Sequence, residues 1–275
     1  MNNHVPSSEW GHHKPVGWRA TWLRMLHRLP SGSVWRRIAL LLRKPLKKGL
    51  GQWADVEVWG LKLRLRTRGN LSEQRLLLMP QFLDTIERDF LAQELKDGDV
   101  FLDIGANAGV YSLWVASGCN GKVRIEAFEP DRELCERLRF NLQTNKLVQV
   151  TLHEYALGEV AGEATLVPGN SNRGENRVES SETSGIRVRI EILSDVLQRL
   201  GISRVKALKI DVEGQEADVL RPLFDNAAPE LLPNVIICEL IPNVQRSPLH
   251  ELLSRFGYRL EARGRLNGIF RRTRS

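Results

Sequence analysis

A glycine-rich turn near residue 105 has the pattern of a nucleotide-binding loop. Residues 100–104 form a short, mostly apolar run, and Gly105 and Gly109 follow it where a helical pattern begins. Doubly wound folds bind nucleotides at such strand-to-helix turns, beyond the carboxyl ends of the strands. Asn107 stands where the dinucleotide fingerprint G-x-G-x-x-G has its second glycine. That glycine lets the backbone approach a pyrophosphate, so the turn favours a ligand without one.

An acidic residue lies where a ribose-binding carboxylate is expected. Glu129 ends the second apolar run, 24 residues after Gly105, and a carboxylate there can accept both ribose hydroxyls. Ribose recognition without pyrophosphate recognition favours S-adenosylmethionine (SAM) as the cofactor. Asp103 interrupts the first apolar run and needs hydrogen-bond partners if buried. It either contacts the amino group of SAM or only braces the loop. The alternative for the whole segment is a tight structural turn with a solvated Glu129.

A second group of charged residues could carry out methyl transfer to a hydroxyl. This reaction needs an aligned nucleophile and a group that removes its proton. Lys209, Asp211 and Glu213 alternate with apolar residues and would share one face of an extended strand. We predict Asp211 as the general base or as a neighbour of the acceptor, Glu213 as a positioning group, and Lys209 as a partner of a carboxylate or of a developing alkoxide. The alternative is a strand end whose charges pair with one another and orient the next helix at Gly214.

A metal site is a further alternative. Asp211, Glu213 and Glu239 offer oxygen ligands of the kind that Mg²⁺ prefers, at the ends of adjacent predicted strands. The histidine and cysteine spacings do not support zinc. We therefore predict a reaction without a required metal, and keep magnesium at these three carboxylates as the alternative.

Alternating apolar patterns predict the elements that position these residues. Strands are predicted at 100–104, 123–128, 150–155, 205–210 and 235–240, helices at 109–116, 132–144, 215–224 and 249–256, and an antiparallel pair at 258–262 and 266–271. This alternation implies a mostly parallel, doubly wound sheet. An insertion at 163–192 adds two alternating runs, 163–167 and 186–192. Upstream, the pattern predicts a hairpin at 56–65 and a helical stretch at 72–95 that Pro80 interrupts.

The net charge of +7 is concentrated at the two ends of the chain. Residues 1–50 hold ten Lys and Arg and one acid, and residues 255–275 hold seven Arg and one acid. The body between them holds 23 bases and 31 acids. A basic protein of this size would favour a nucleic-acid partner, but the acidic body argues against one.

The basic N-terminal segment contains two amphipathic helical patterns. They cover 16–29 and 34–42, with a break at 30–33 and an end at 43–49, and six of the seven tryptophans precede residue 60. No run reaches the roughly 18 apolar residues of a transmembrane helix, and arginines within the apolar runs argue against a secretory signal. The segment either pads the catalytic domain, contacts a membrane surface, targets an organelle or binds nucleic acid.

The cellular location follows from composition and charge. Three cysteines without a C-x-x-C spacing indicate a reducing compartment. We predict a cytoplasmic protein, with peripheral contact of residues 16–48 to the inner face of a membrane as an option.

Several segments together resemble the FkbM-type methyltransferases. They are FLDIGANAGVYSL (101–113), AFEPD (127–131), YALGEVAGEATL (155–166), LKIDVEGQEADVL (208–220) and VIICEL (235–240). The resemblance implies a class I, Rossmann-like α/β domain: a mostly parallel seven-stranded sheet with helices on both faces and an antiparallel C-terminal strand, here with a basic N-terminal helical extension. It implies SAM contacts at Asp103, Gly105, Asn107, Gly109, Glu129 and Ala156.

The implied activity is SAM-dependent O-methylation of a sugar, glycolipid or natural-product hydroxyl. We predict three units, namely a basic extension (1–52), a hairpin and helical lead-in (53–97) and the SAM-dependent methyltransferase domain (98–275). Two rival functions remain, methylation of RNA or another polyanion and a non-catalytic SAM-binding assembly protein at a membrane. A nucleotide-dependent oxidoreductase is a weaker rival because Asn107 breaks its fingerprint.

Overall fold

The computed structural model describes residues 4–119, 122–167, 177–179, 185–240 and 247–273. The helices are α1 (Trp18–His27), α2 (Ser33–Gly49), α3 (Leu71–Leu78), α4 (Thr85–Glu94), α5 (Val110–Gly118), α6 (Arg132–Asn145), α7 (Leu193–Arg199), α8 (Glu216–Asn226) and α9 (Pro248–Arg255). The strands are β1 (Trp53–Val58), β2 (Leu61–Arg66), β3 (Val100–Ile104), β4 (Arg124–Phe128), β5 (Val150–His153), β6 (Ala156–Leu157), β7 (Gly162–Val167), β8 (Arg177–Glu179), β9 (Ile186–Glu191), β10 (Ala207–Ile210), β11 (Val235–Glu239), β12 (Tyr258–Arg263) and β13 (Asn267–Arg272).

A seven-stranded sheet organises the domain. Its strand order is β12-β13-β11-β10-β3-β4-β5. The neighbours from β11 to β5 pair in parallel, and β13 pairs antiparallel with both β11 and β12. The chain reverses its direction across the sheet between β3 and β10, which is where open α/β sheets bind ligands. The predicted fold class is confirmed, and α7, which the sequence patterns did not predict, covers part of one face.

Two apolar layers enclose this sheet because side chains alternate along each strand. In β3, Phe101 faces the layer that contains α4, α5 and α6, whereas Leu102 faces the layer of α7, α8 and α9. In β11, Ile237 faces the same layer as Phe101, and Ile236 faces the same layer as Leu102. Helices on both faces therefore bury every strand of the centre, as parallel sheets require.

The insertion forms a separate small sheet. The two predicted runs become β7 and β9, which pair antiparallel, and the strand order is β6-β9-β7-β8. Since β6 comes directly after β5, this sheet lies beside the carboxyl ends of the central strands.

The N-terminal helices pack onto the domain. Leu26 of α1 and Leu46 of α2 are fully buried in the same cluster as Phe101. The predicted end of the second helix at residue 42 is wrong, because α2 continues to Gly49 with Pro45 inside it. Burial of Leu46 keeps this last turn helical although proline removes one hydrogen bond. Within the described ranges, every helix is too short or too polar to cross a membrane.

A buried ion pair fastens the N-terminal segment to the predicted hairpin. Arg64 Nε donates to Asp55 Oδ1 over 2.7 Å and Arg64 Nη2 donates to Asp55 Oδ2 over 2.9 Å, with both side chains fully buried. Backbone groups of the segment complete the network, with the carbonyls of Pro6, Ser8 and Glu9 as acceptors and the amides of Gly11 and His13 as donors. Both charges are thus matched by hydrogen bonds as well as by each other.

We expect Asp55→Asn to lower the free energy of unfolding by about 3–5 kcal/mol, because it leaves the buried guanidinium uncompensated. Glu57→Gln is the matched control, since Glu57 is exposed on the same strand, and should change stability by less than about 0.5 kcal/mol. Urea unfolding of the full chain measures both values. Equal unfolding midpoints for the two variants would show that the pair contributes nothing.

Candidate active site

The glycine turn after β3 is wedged between two neighbouring strands. The amides of Gly105 and Ala106 donate to the carbonyl of Phe128, at the end of β4, over 3.0 and 2.9 Å. On the other side, a Cβ atom at Gly105 would overlap the carbonyl oxygen of Asp211, and the φ of Gly105 is +72°. Only glycine fits this approach and this backbone conformation.

Asn107 takes the left-handed conformation that a glycine would otherwise supply, with a φ of 55°. Its Oδ1 accepts hydrogen bonds from Ala108 N (2.7 Å) and Asn70 Nδ2 (2.6 Å). Asn70 also caps α3, because its Oδ1 accepts from Glu73 N over 3.0 Å. The helical lead-in therefore holds the loop in place. Sequence reasoning missed Asn70, since an N-cap residue before a helix carries no sign of a distant partner.

The start of α5 is packed and braced from both sides. A Cβ at Gly109 would overlap Leu138 of α6, so Gly109 permits these helices to approach closely. Asp103 Oδ2 accepts from the amide (2.9 Å) and the hydroxyl (2.6 Å) of Ser112. Burial raises the pKa of Asp103, while its bonds to Ser112 and the charge of Lys209 oppose that rise. These hydrogen bonds support a role for Asp103 in bracing the loop. Its contact with SAM stays a prediction.

Glu129 is a buried carboxylate fixed by backbone amides. Its Oε2 accepts from Asn107 N and its Oε1 from Asp131 N, both over 2.8 Å. Burial raises the pKa of Glu129 to about 7, although these two amides favour the ionised form. It lines a narrow cavity of about 60 Å³ together with Tyr155 and the predicted contact Ala156. Each oxygen accepts one backbone hydrogen bond and can accept a further one.

Lys209 and Asp211 form an ion pair at the end of β10. Lys209 Nζ lies 3.2 Å from Asp211 Oδ2, and the side chains are 3% and 46% exposed respectively. Burial alone would lower the pKa of Lys209, but the carboxylates of Asp211 and Asp103 outweigh it and raise that pKa. The buried lysine therefore stays charged and holds a carboxylate that remains open to solvent.

Glu213 does not continue the alternation of the strand. Since β10 ends at Ile210, the expectation that Lys209, Asp211 and Glu213 share one strand face is wrong beyond that point. Glu213 has a φ of 55° in the turn that follows. Glu216 Oε1 ties this turn together by accepting from the amides of Val212 and Gly214, each over 3.1 Å. Glu213 nonetheless lines the cavities on both sides of Asp211.

A second cavity of about 280 Å³ adjoins the narrow one. The two share the lining residues Gly105, Asn107, Asp211 and Glu213. Five acidic residues line the second cavity: Asp84, Asp103, Asp211, Glu213 and Glu239. Burial, and then the charge of Asp211, raises the pKa of Glu239. In the described parts of the chain, no group of three or more His, Cys, Asp or Glu could hold a metal ion, so Asp211, Glu213 and Glu239 do not form one.

Three residues of this wall come from distant parts of the sequence. The Tyr111 hydroxyl donates to Asp84 Oδ2 over 3.1 Å, and Asn267 Nδ2 lies 3.3 Å from the same hydroxyl. Burial, followed by the charge of Asp84, raises the pKa of Tyr111 well above its usual value. Sequence reasoning named none of the three as site residues. Tyr111 lies within the glycine-loop segment, but Asp84 and Asn267 carry no motif.

Comparison with known proteins identifies this architecture. The family model described as the methyltransferase FkbM domain matches residues 103–260. The chain belongs to the FkbM methyltransferase family. It is 29% identical over 196 residues to methyltransferase sdnD of Sordaria araneosa, which covers 60% of this chain and 75% of that protein. The predicted SAM-dependent methyltransferase activity is confirmed by this membership.

Two further FkbM proteins are similar to this chain. The 31-O-demethyl-FK506 methyltransferase FkbM of Streptomyces tacrolimicus is 30% identical over 169 residues, covering 50% of this chain and 64% of that protein. A solved structure of methyltransferase FkbM from Methylobacillus flagellatus KT is 20% identical, with a TM-score of 0.42, and the match covers 64% of this chain and 44% of that chain.

The FkbM site contains groups that suit SAM. A buried Glu129 carboxylate offers acceptors for ribose hydroxyls, and the turn at Gly105 lets the backbone pass close to a ligand. The narrow cavity of about 60 Å³ is smaller than typical ligand pockets of about 300–1,000 Å³. It joins the second cavity at Gly105, Asn107, Asp211 and Glu213, which line both.

We expect SAM binding to weaken as Glu129 is protonated. An acid with a pKa of about 7 is about nine-tenths ionised at pH 8 and about one-tenth ionised at pH 6. Because the ionised carboxylate is the better ribose acceptor, the Kd of wild type for SAM should rise about tenfold from pH 8 to pH 6, relative to Glu129→Gln. Calorimetric titration with SAM measures the Kd at each pH. Glu159→Gln, an exposed control, should keep the wild-type profile, and a wild-type profile parallel to that of Glu129→Gln would refute this role.

Proposed function

We propose that this chain transfers the methyl group of SAM to a hydroxyl of a small molecule, glycan or glycolipid. The observation that carries the proposal is the position of Asp211. This carboxylate lines both cavities, the narrow one that contains Glu129 and the second one, whose wall includes four further acidic residues. This position between two adjoining cavities supports a role for Asp211 between cofactor and acceptor.

The cofactor side uses the residues that the sequence predicted. Glu129 accepts hydrogen bonds from the ribose hydroxyls. The turn from Gly105 to Gly109, which includes Asn107, lies along the cofactor, and Ala156 forms part of the opposite wall. Asp103 holds the first turn of α5 and faces the second cavity. SAM, when bound, supplies an electrophilic methyl group on a sulfonium.

Asp211 and Lys209 perform the proton chemistry. Asp211 accepts the hydrogen bond of the acceptor hydroxyl and takes its proton as the bond from oxygen to the methyl carbon forms and the bond from that carbon to sulfur breaks. Lys209 fixes the carboxylate, since its Nζ lies 3.2 Å from Asp211 Oδ2. The proton then passes to water, because the Asp211 side chain is half exposed. General-base help of this kind contributes roughly 10²- to 10⁴-fold in rate.

The acceptor side favours a molecule with several hydroxyls. Asp84, Glu213 and Glu239 add carboxylate oxygens to the same wall, and ionised carboxylates only accept hydrogen bonds. A sugar or another polyol donates several such bonds at once. The Streptomyces relative is named as a methyltransferase of 31-O-demethyl-FK506, which supports a small-molecule acceptor.

We expect label from methyl-labelled SAM to enter a polyol fraction. The full chain is incubated with fractionated cell glycans, lipids, small molecules and RNA, and each fraction is counted. Label in glycans, lipids or small molecules supports the proposal, whereas label confined to RNA favours the rival polyanion methyltransferase. SAM binding without label in any fraction favours the rival non-catalytic assembly protein.

Asp211→Asn tests the mechanism within the labelled fraction. We expect kcat to fall by about 10²-fold or more, with the Kd for SAM within about twofold of wild type, because Asn keeps the shape but cannot take a proton. Glu213→Gln should lower kcat less. Asp218→Asn, on the exposed face of α8, is the control and should leave both constants unchanged. Unchanged kcat in Asp211→Asn and Glu213→Gln would refute the assignment.

We further propose a cytoplasmic enzyme that contacts a membrane surface through residues 16–48. Six large apolar side chains of this segment are exposed: Val16, Trp18, Met25, Val34, Trp35 and Leu41. They lie among arginines and lysines, and this combination suits an interface with anionic lipid. Since Val34 and Leu41 are seven residues apart, they lie on one side of α2.

Val34→Glu/Leu41→Glu should release the protein from anionic vesicles. Charged side chains on this face cannot enter the headgroup boundary, so the fraction that co-sediments with phosphatidylglycerol vesicles should fall severalfold. Val148→Glu/Val160→Glu is the matched control, because both valines are exposed outside this segment. Equal co-sedimentation of the two double variants, or none of wild type, would contradict membrane contact.

A further inference from the structure

A third cavity, of about 710 Å³, continues outward from the acceptor site. It shares with the second cavity the lining residues Leu71, Arg75, Leu83, Asp84 and Leu266. Its other walls come from α2, from the start of α4 and from the turn between β12 and β13. The N-terminal helix α2 is therefore part of the wall of the space that leads to Asp211.

Four arginines line this outer cavity. They are Arg36 and Arg43 on α2, Arg75 on α3 and Arg265 between β12 and β13. Among the described residues, no carboxylate forms an ion pair with any of the four. Arg43 Nη1 instead lies 3.9 Å from the thioether of Met79, which is a weak acceptor. Their positive charge is thus directed at the cavity and is not neutralised by the described protein groups.

Partial burial, followed by the neighbouring charge of Arg75, lowers the pKa of Arg43. The start of α2 adds positive character to the cavity. The cavity is also lined by Ser31, Gly32 and Ser33, at the N-terminus of α2. This 17-residue helix has no acid in its first turn and no side-chain cap, so its end contributes partial positive charge. Two kinds of positive group therefore face the same space.

Charge changes sign along the path from the outside to Asp211. Asp84 lies where the outer and second cavities meet, and Glu87, the other acid of the outer wall, is held by Asn267 Nδ2 over 3.0 Å. Three of the arginines (Arg36, Arg43 and Arg265) line only the outer cavity, and Arg75, like Asp84, lies at the junction. The other acidic residues of the second cavity do not line the outer one. A molecule bound across both cavities would place an anionic group outside and hydroxyls inside.

We propose that the acceptor is a phosphorylated polyol, such as a glycosyl phosphate or diphosphate, whose phosphate is bound by Arg36, Arg43, Arg75 and Arg265. Arginine matches phosphate oxygens with paired N–H donors. The inference rests on the proposed function, because it places the methylated hydroxyl beside Asp211. The diphosphate of a nucleotide-linked sugar and that of a lipid-linked sugar share this chemistry.

The test measures binding of inorganic pyrophosphate to the full chain by calorimetry, without turnover. We expect Arg43→Gln/Arg75→Gln to raise the Kd at least tenfold. Arg37→Gln/Lys44→Gln is the matched control, since it removes the same charge from exposed positions of α2 outside the cavity wall, and should stay within about twofold of wild type. No binding by wild type, or equal weakening in both double variants, would overturn the proposal.

A separate arm identifies the source of the phosphate. UDP-glucose and farnesyl diphosphate are compared as competitors of pyrophosphate, and either ranking supports the site and assigns it to a nucleotide-linked or a lipid-linked acceptor. Competition by neither would overturn the proposal. Because these measurements need no methyl transfer, failure of the proposed function appears separately, as a lack of label from SAM in a protein that still binds pyrophosphate.

The thermal midpoint of each variant distinguishes loss of the phosphate site from loss of folding. The Arg43→Gln/Arg75→Gln variant removes two neighbouring like charges, so its thermal midpoint should not fall below that of wild type. If it does, Arg36→Gln and Arg265→Gln replace it, with Arg37→Gln and Arg263→Gln as exposed controls. Each replacement should raise the pyrophosphate Kd severalfold while its control does not, and unchanged values in both would refute the site.

Discussion

The close approach of two backbone segments, at Gly105 and Asp211, is the constraint on which the site depends. The Asp211 amide donates to the carbonyl of Ile104 over 3.0 Å, and the missing side chain of Gly105 leaves room for the carbonyl of Asp211. The glycine turn, which we propose to contact the cofactor, and Asp211, which we propose to contact the acceptor, are therefore held against each other. Methyl transfer requires alignment within fractions of an ångström, and a contact between backbones at the end of a buried sheet supplies that rigidity.

Around this contact, buried charges are arranged so that each has a compensating group. Glu129 has two backbone amides, Asp103 has the amide and hydroxyl of Ser112, and Lys209 has Asp211. Partners of this kind are needed because an isolated buried charge is strongly unfavourable. Burial raises the pKa values of Asp103 and Glu129, and these partners offset that rise only in part.

The sequence predicted what depends on local pattern and missed what depends on packing. Alternation and helical periodicity located the strands and helices of the central sheet, apart from α7, because they record which side of each element is buried. Gly105 and Glu129 follow the two strands of one strand-helix-strand unit. Their spacing could therefore be recognised in the sequence as well. Asn70, Asp84 and Asn267 come from elements that meet only in the folded chain. The alternation from Lys209 to Glu213 failed because the strand ends at Ile210, and a tertiary turn has no periodicity.

We propose that the N-terminal segment serves both as part of the acceptor site and as a surface that contacts the membrane. On α2, Arg36 and Arg43 line the outer cavity while Val34 and Leu41 are exposed. Deleting residues 1–51 would remove both faces at once, together with buried core residues of α1 and α2. A loss of activity after such a deletion could not separate membrane contact from acceptor binding or from stability. Point substitutions on one face at a time distinguish them, because the exposed apolar residues and the cavity arginines lie on different sides of the same helix.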